Sequence, residues 1–168
     1  MESIRNHFQK GNLNMNWPYT WIRKYTGRWY IIIHHSLTKD GITVSWDDID
    51  RYHTVEKGWI DIGYHYGIEL IDKDYQVLAG RPLGTQGAHC KENGMNAMSI
   101  GICFVGNYDK EDVPDAMYDV GIKHIAGLCY SLRIDPMNIF PHSDYADKTC
   151  PGIRFDMDRL RNGVKVVL

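Results

Sequence analysis

Apolar and polar positions alternate along this chain in blocks that predict strands interleaved with helices. The run Trp29-Tyr30-Ile31-Ile32-Ile33-His34 is short, apolar and β-branched, and it predicts a strand buried on both faces. Ser45-Trp46-Asp47-Asp48 supplies a serine cap and early acids, predicting a helix that reaches about Lys57 and stops at Gly58. Strands are expected over 63–71 and 76–80, joined as a hairpin by Asp72-Lys73-Asp74. A further buried strand spans 99–105 and ends at Gly106-Asn107. Pro114-Asp115 opens the strongest helical pattern, which continues to about Arg133. Its positions Met117, Val120, Ile122, Ile125, Leu128 and Leu132 recur at near-helical spacing. A last short helix is expected over 155–161. The interleaving predicts an α/β domain, and the hairpin makes its central sheet mixed.

Length and composition narrow the class. With 168 residues there is room for one well-buried core but not for two comfortable domains. A net charge of -2 leaves no electrostatic footprint for nucleic acid. No apolar run reaches eighteen residues, so membrane insertion is not expected. The opening Met-Glu-Ser-Ile-Arg-Asn-His-Phe lacks the pattern of a signal peptide, which predicts synthesis in the cytoplasm. Residues 1–27 read as an N-terminal arm that Trp17, Trp21 and Tyr25 could pin to the body.

Candidate chemistry concentrates in Pro141-His142-Ser143-Asp144-Tyr145-Ala146-Asp147-Lys148-Thr149-Cys150-Pro151-Gly152. His142 and Cys150 bracket a loop of turn formers, and His34-His35-Ser36 closes the first strand. One imidazole from that strand end, joined to His142 and Cys150, would give zinc three protein ligands and leave one position open. The bland reading stands beside it, because a lone histidine is usually a surface or core residue and this chain has eight. Adjacent strand residues point to opposite faces, so His34 and His35 cannot both serve easily. Lys148 must lie near any metal that Cys150 binds, where its charge suits an oxyanion; otherwise it is a solvated surface lysine. Tyr64 could orient water or stabilise the same oxyanion, or pack in the core. Cys103 and Cys129 sit in apolar runs and read as buried hydrophobes, while Cys90 has polar neighbours and no assignment. No His-Glu-x-x-His motif occurs.

A set of short motifs occurs in order: Ile32-Ile33-His34-His35-Ser36, Gly58-Trp59-Ile60-Asp61-Ile62-Gly63-Tyr64-His65, Ala79-Gly80-Arg81, Gly87-Ala88-His89, Asn96 with Ser99-Ile100-Gly101-Ile102, Gly106-Asn107, and His142 through Lys148-Thr149-Cys150-Pro151-Gly152. Together they resemble the zinc N-acetylmuramoyl-L-alanine amidases of the amidase-2 family, especially the bacteriophage endolysin type, whose fold peptidoglycan recognition proteins share. The resemblance spans about residues 28 to 160 and implies a catalytic domain over 28–168. It implies a mixed sheet flanked by helices, one Zn2+ per chain in a groove, and a muramyl peptide of peptidoglycan as substrate. His34, His142 and Cys150 match the metal ligands, with His35 as a neighbour. Tyr64 and Lys148 match the catalytic side chains. Trp59, His89 and Asn96 fall in segments that shape or border the substrate groove, and His35 is grouped with them as a substrate-side candidate.

The implied reaction is hydrolysis of the amide between N-acetylmuramic acid and L-alanine by zinc-activated water. The implied setting is a monomer that acts on the cell wall after release from the host cytoplasm. Two other readings share these motifs: a cytoplasmic amidase recycling anhydromuropeptides, and a non-catalytic peptidoglycan-binding module.

Overall fold

The computed structural model describes residues 30–38 and 45–168. The expected N-terminal arm lies outside the described residues. Five strands form one sheet: β1 (Tyr30–His35), β2 (Tyr66–Ile71), β3 (Asp74–Ala79), β4 (Ser99–Phe104) and β5 (Ile139–Pro141). Their order is β3-β2-β4-β1-β5, with β2 and β3 antiparallel and every other pair parallel. The sheet is mixed as expected, and its antiparallel pair is the hairpin across Asp72-Lys73.

The central strands β1 and β4 are covered on both faces. From β1 and β4, Ile31, Ile33, Ile100, Ile102 and Phe104 enter the main core, where helix α3 (Asp115–Leu132) contributes Met117, Ile125, Leu128 and Leu132. Each such fully buried side chain contributes about 1.5–3 kcal/mol of transfer free energy. On the opposite face, Cys103 and Val105 pack with Trp46 and Ile49 of helix α1 (Trp46–Arg51) and with Ile62. Trp46 is fixed by its own polar groups. Its backbone N–H donates to Glu69 Oε2 at 2.9 Å and its indole N–H donates to the Ala79 carbonyl at 2.9 Å. Between these two layers, the face bearing α1 also carries the candidate site.

Several elements differ from expectation; β2, for one, begins at Tyr66 and not at residue 63. The helix opened by the Ser45 capping box is α-helical only through Arg51 and continues as a π-helical turn over Tyr52–Glu56. Strand β5 carries no usable pattern because it has three residues. Pro141 is tolerated in it since β5 is the sheet edge, where a missing N–H breaks no ladder. The last helix, α4 (Met157–Val167), runs six residues past the expected end. A Cβ at Gly163 would collide with Ile122. Glycine there lets α4 pack closely on α3 instead of ending it. A one-turn helix, α2 (Met95–Met98), leads directly into β4.

Candidate metal centre

Parallel pairing puts the two adjacent histidines on opposite faces of the sheet. β1 lies between β4 and β5, and His34 is level with Cys103 on β4. His34 therefore shares the α1 face, while His35 turns to the α3 face. There the His35 Nδ1 accepts the Tyr108 N–H at 3.3 Å, and its ring lies 6.3 Å from the Tyr108 ring. The His35 side chain, expected on the substrate side, is buried on the α3 face of the sheet. Only its backbone reaches the site, donating its N–H to Cys150 Sγ at 3.4 Å.

His142 begins the short turn after β5, and parallel pairing carries it to the same end of the sheet as His34. Their ring centroids are 4.5 Å apart. The loop from His142 closes on itself through the Ser143 N–H, which donates to the Cys150 carbonyl at 2.8 Å and so holds Cys150 near His142. One donor atom from each of His34, His142 and Cys150 lies within 4.8 Å of the others, and all three residues are buried. These residues form a group able to hold a metal ion. A tetrahedral zinc with bonds of about 2.3 Å to sulfur and 2.0–2.1 Å to nitrogen separates S from N by about 3.6 Å. The observed Cys150 Sγ to His34 Nδ1 distance is 3.7 Å, close to that separation.

Electrostatics favours the ligand forms of the imidazoles. Burial holds His34 well below its ordinary pKa, helped by His89, His142, His35 and Lys148. Burial also lowers His142, with Lys148 next in effect. Both rings are neutral at neutral pH and keep a lone pair for a cation. Burial pushes the Cys150 thiol up to about 12, with the His35 N–H and Lys148 acting against it. The thiol thus needs a bound cation to ionise near neutral pH.

Tyr64 stands over His34, its ring centroid 5.2 Å away. Burial, then Cys103 and Cys150, holds its hydroxyl well above the usual phenol range, and the hydroxyl bonds with the Cys103 thiol. It is a proton donor throughout the neutral range and not a base. Lys148 is exposed, yet its charge acts on His34, His142, Cys150 and Cys90. The structure therefore brings His34, His142, Cys150, Tyr64 and Lys148 together.

The remaining expected residues take other places. Trp59 is 37% exposed and stacks on His53 at 4.7 Å, and His53 in turn touches Tyr64. Trp59 thus stands at the open edge of the site. His89 is buried behind His34, with its Nδ1 3.0 Å from His34 Nε2. A Cβ at Gly101 would meet the His89 ring at 2.5 Å, which explains why a glycine interrupts an otherwise apolar strand. Asn96 is half-buried. Its Oδ1 accepts the N–H groups of His89 and Cys90, each at 2.7 Å, and so fixes the loop that carries them.

Sequence reasoning missed His53. The π-helical turn presents its Nδ1 to the Gly63 N–H at 3.2 Å, beside Tyr64. It missed Cys90 and Glu92 as well, which lie near His142. Their signal was present only as polar neighbours around a cysteine.

The fold is thus a mixed sheet that carries, at one end, a His/His/Cys group able to hold a metal ion, with a tyrosine and a lysine beside it. By sequence the chain belongs to the N-acetylmuramoyl-L-alanine amidase family, whose match spans residues 26–153. The endolysin of Klebsiella phage KP32 is 34% identical over 132 residues, which is 77% of this chain and 82% of that protein. The solved N-acetylmuramoyl-L-alanine amidase LysC from Clostridium intestinale superposes with a TM-score of 0.73 at 26% identity, covering 84% of this chain and 88% of that one. A Drosophila PGRP-LB variant solved in complex with tracheal cytotoxin gives a TM-score of 0.63 at 31% identity, covering 76% and 77%. Among the described residues, no helix is long and apolar enough to cross a membrane.

Proposed function

We propose that this protein is a zinc-dependent peptidoglycan hydrolase of the endolysin type, cleaving the amide between N-acetylmuramic acid and the L-alanine of the stem peptide. The observation that carries the reading is the convergence of His34, His142 and Cys150, with Nδ1 and Sγ 3.7 Å apart, beside Tyr64 and Lys148. Family membership and the phage endolysin relatives support the substrate class and the endolysin setting. The likeness to a recognition protein solved with tracheal cytotoxin supports a muramyl-peptide ligand.

His34, His142 and Cys150 would hold the zinc, which when bound supplies Lewis acidity to acidify water and polarise the scissile carbonyl. The chain's own groups do the rest. Cys150 would hold the ion as a thiolate, and the His35 N–H already donates to that sulfur. The Tyr64 hydroxyl, kept protonated, donates toward the oxygen that gains charge as the carbonyl is attacked. Lys148 adds a positive charge from the solvent side of the same oxygen. Trp59, at the open edge, offers a flat apolar surface to the sugar or peptide.

The test is to incubate the purified full chain, loaded with one equivalent of zinc, with peptidoglycan sacculi. New L-alanine amino termini are expected from the wild type and are expected to vanish with Cys150→Ala. Absence of release from the loaded wild type, or undiminished release from the variant, overturns the reading.

A further inference from the structure

A second donor set sits against the first. Cys90, Glu92 and His142 also place one sulfur, one carboxylate oxygen and one ring nitrogen within 4.8 Å of each other. Cys90 is 1% exposed, and its Sγ lies 3.8 Å from Glu92 Oε2. This is a fixed arrangement, because the Cys90 N–H is held by Asn96 Oδ1 and Glu92 starts the 3-10 turn Glu92–Gly94. Sulfur, nitrogen and one carboxylate are a good donor set for zinc or cadmium. Glu92 is partly exposed, so this set faces solvent more openly than His34, His142 and Cys150.

The two sets share His142, and this sharing has a chemical consequence. A neutral imidazole has one lone pair to give to a cation. An ion held by Cys90, Glu92 and His142 therefore takes a ligand from the ion held by His34 and Cys150. We propose that Cys90, Glu92 and His142 form a second, inhibitory site for a thiophilic divalent cation, which competes with the first site for His142. Zinc at one equivalent occupies the first site, and zinc or cadmium in excess captures His142 from it. Only the inhibitory consequence rests on the function proposed above; the binding itself does not.

Two measurements decide it. In the Cys150→Ser protein, Co2+ titration reads the thiolate-to-cobalt charge-transfer band with the first site's sulfur removed. The band is expected to appear, to be lost in Cys150→Ser/Cys90→Ser, and to require about tenfold or more Co2+ in Cys150→Ser/Glu92→Gln. Absence of the band at millimolar Co2+ in folded Cys150→Ser protein, or its survival without Cys90, overturns the site. In the second measurement, wild-type activity on sacculi is followed as zinc rises above one equivalent. Cys90→Ser is expected to match the wild type at one equivalent and to need about tenfold more zinc for half-inhibition. Equal inhibition of the two proteins overturns the inhibitory role. A wild type inactive at one equivalent would count against the amidase reading, and the cobalt band would still judge the site.

Discussion

His34 Nε2 and His89 Nδ1 lie 3.0 Å apart in the interior, on the side of His34 away from Cys150. A cation on His34 Nδ1 leaves the proton on Nε2, which then donates to His89 Nδ1 and places the His89 proton on its own Nε2. Such a partner fixes the tautomer and the ring orientation of a ligand. The His89→Ala variant should therefore bind zinc about 10–100-fold more weakly, read by competition with a chromophoric chelator. His89→Gln, which retains an acceptor, should recover part of the loss. Unchanged affinity in His89→Ala would show that the contact does not position His34.

Tyr64 and Lys148 should separate binding from turnover. Neither contributes a ligand atom to the His34, His142 and Cys150 group. Tyr64→Phe and Lys148→Met should each lower kcat by about 10²–10³, as loss of one oxyanion partner does elsewhere, with zinc content unchanged. Because the Tyr64 hydroxyl is held protonated, the pH profile of Tyr64→Phe should keep the wild-type shape. A new or missing limb in that profile would assign Tyr64 a proton-transfer role instead.

Metal uptake should be coupled to protons through Cys150. In the metal-free protein its thiol is pushed up to about 12, while His34 and His142 are already neutral. Zinc binding near neutral pH must then expel at least one proton, and apparent affinity should rise about tenfold per pH unit. Calorimetric titration in two buffers of different ionisation enthalpy measures the number. Binding with no proton released would mean that Cys150 is not the sulfur ligand.

Acid should destabilise the metal-free fold through buried imidazoles. Burial lowers His124, whose ring packs on Tyr66 at 4.4 Å and whose Nε2 has no hydrogen-bond partner among the described residues. As pH falls below about 6.5 the unfolded chain takes up a proton that the folded state refuses, so stability falls with pH. His34, His35, His53 and His142 shift in the same direction. The drop in Tm between about pH 7 and pH 5 should be smaller in His124→Leu than in the wild type. An identical drop would remove His124 from the account.

Much of this arrangement was legible in the chain before the fold. The unbroken Ile31-Ile32-Ile33 run marked β1, and the spacing of His142, Lys148 and Cys150 marked the loop, because both signals are local. The choice between His34 and His35 was not local. It depends on β4 and β5 flanking β1 and on which face α3 covers. His89 and Asn96 were recognised as members of the pattern, yet whether a side chain lines a groove or stands behind a ligand is a matter of packing depth.

The central claim is that His34, His142 and Cys150 bind one zinc together. X-ray absorption at the zinc edge of the full chain, loaded with a single equivalent, measures this directly. The account predicts one sulfur at about 2.3 Å and two imidazole nitrogens at about 2.0–2.1 Å, with the sulfur absent in Cys150→Ser at the same loading. A first shell without sulfur in the wild type, or with two sulfurs, would contradict it.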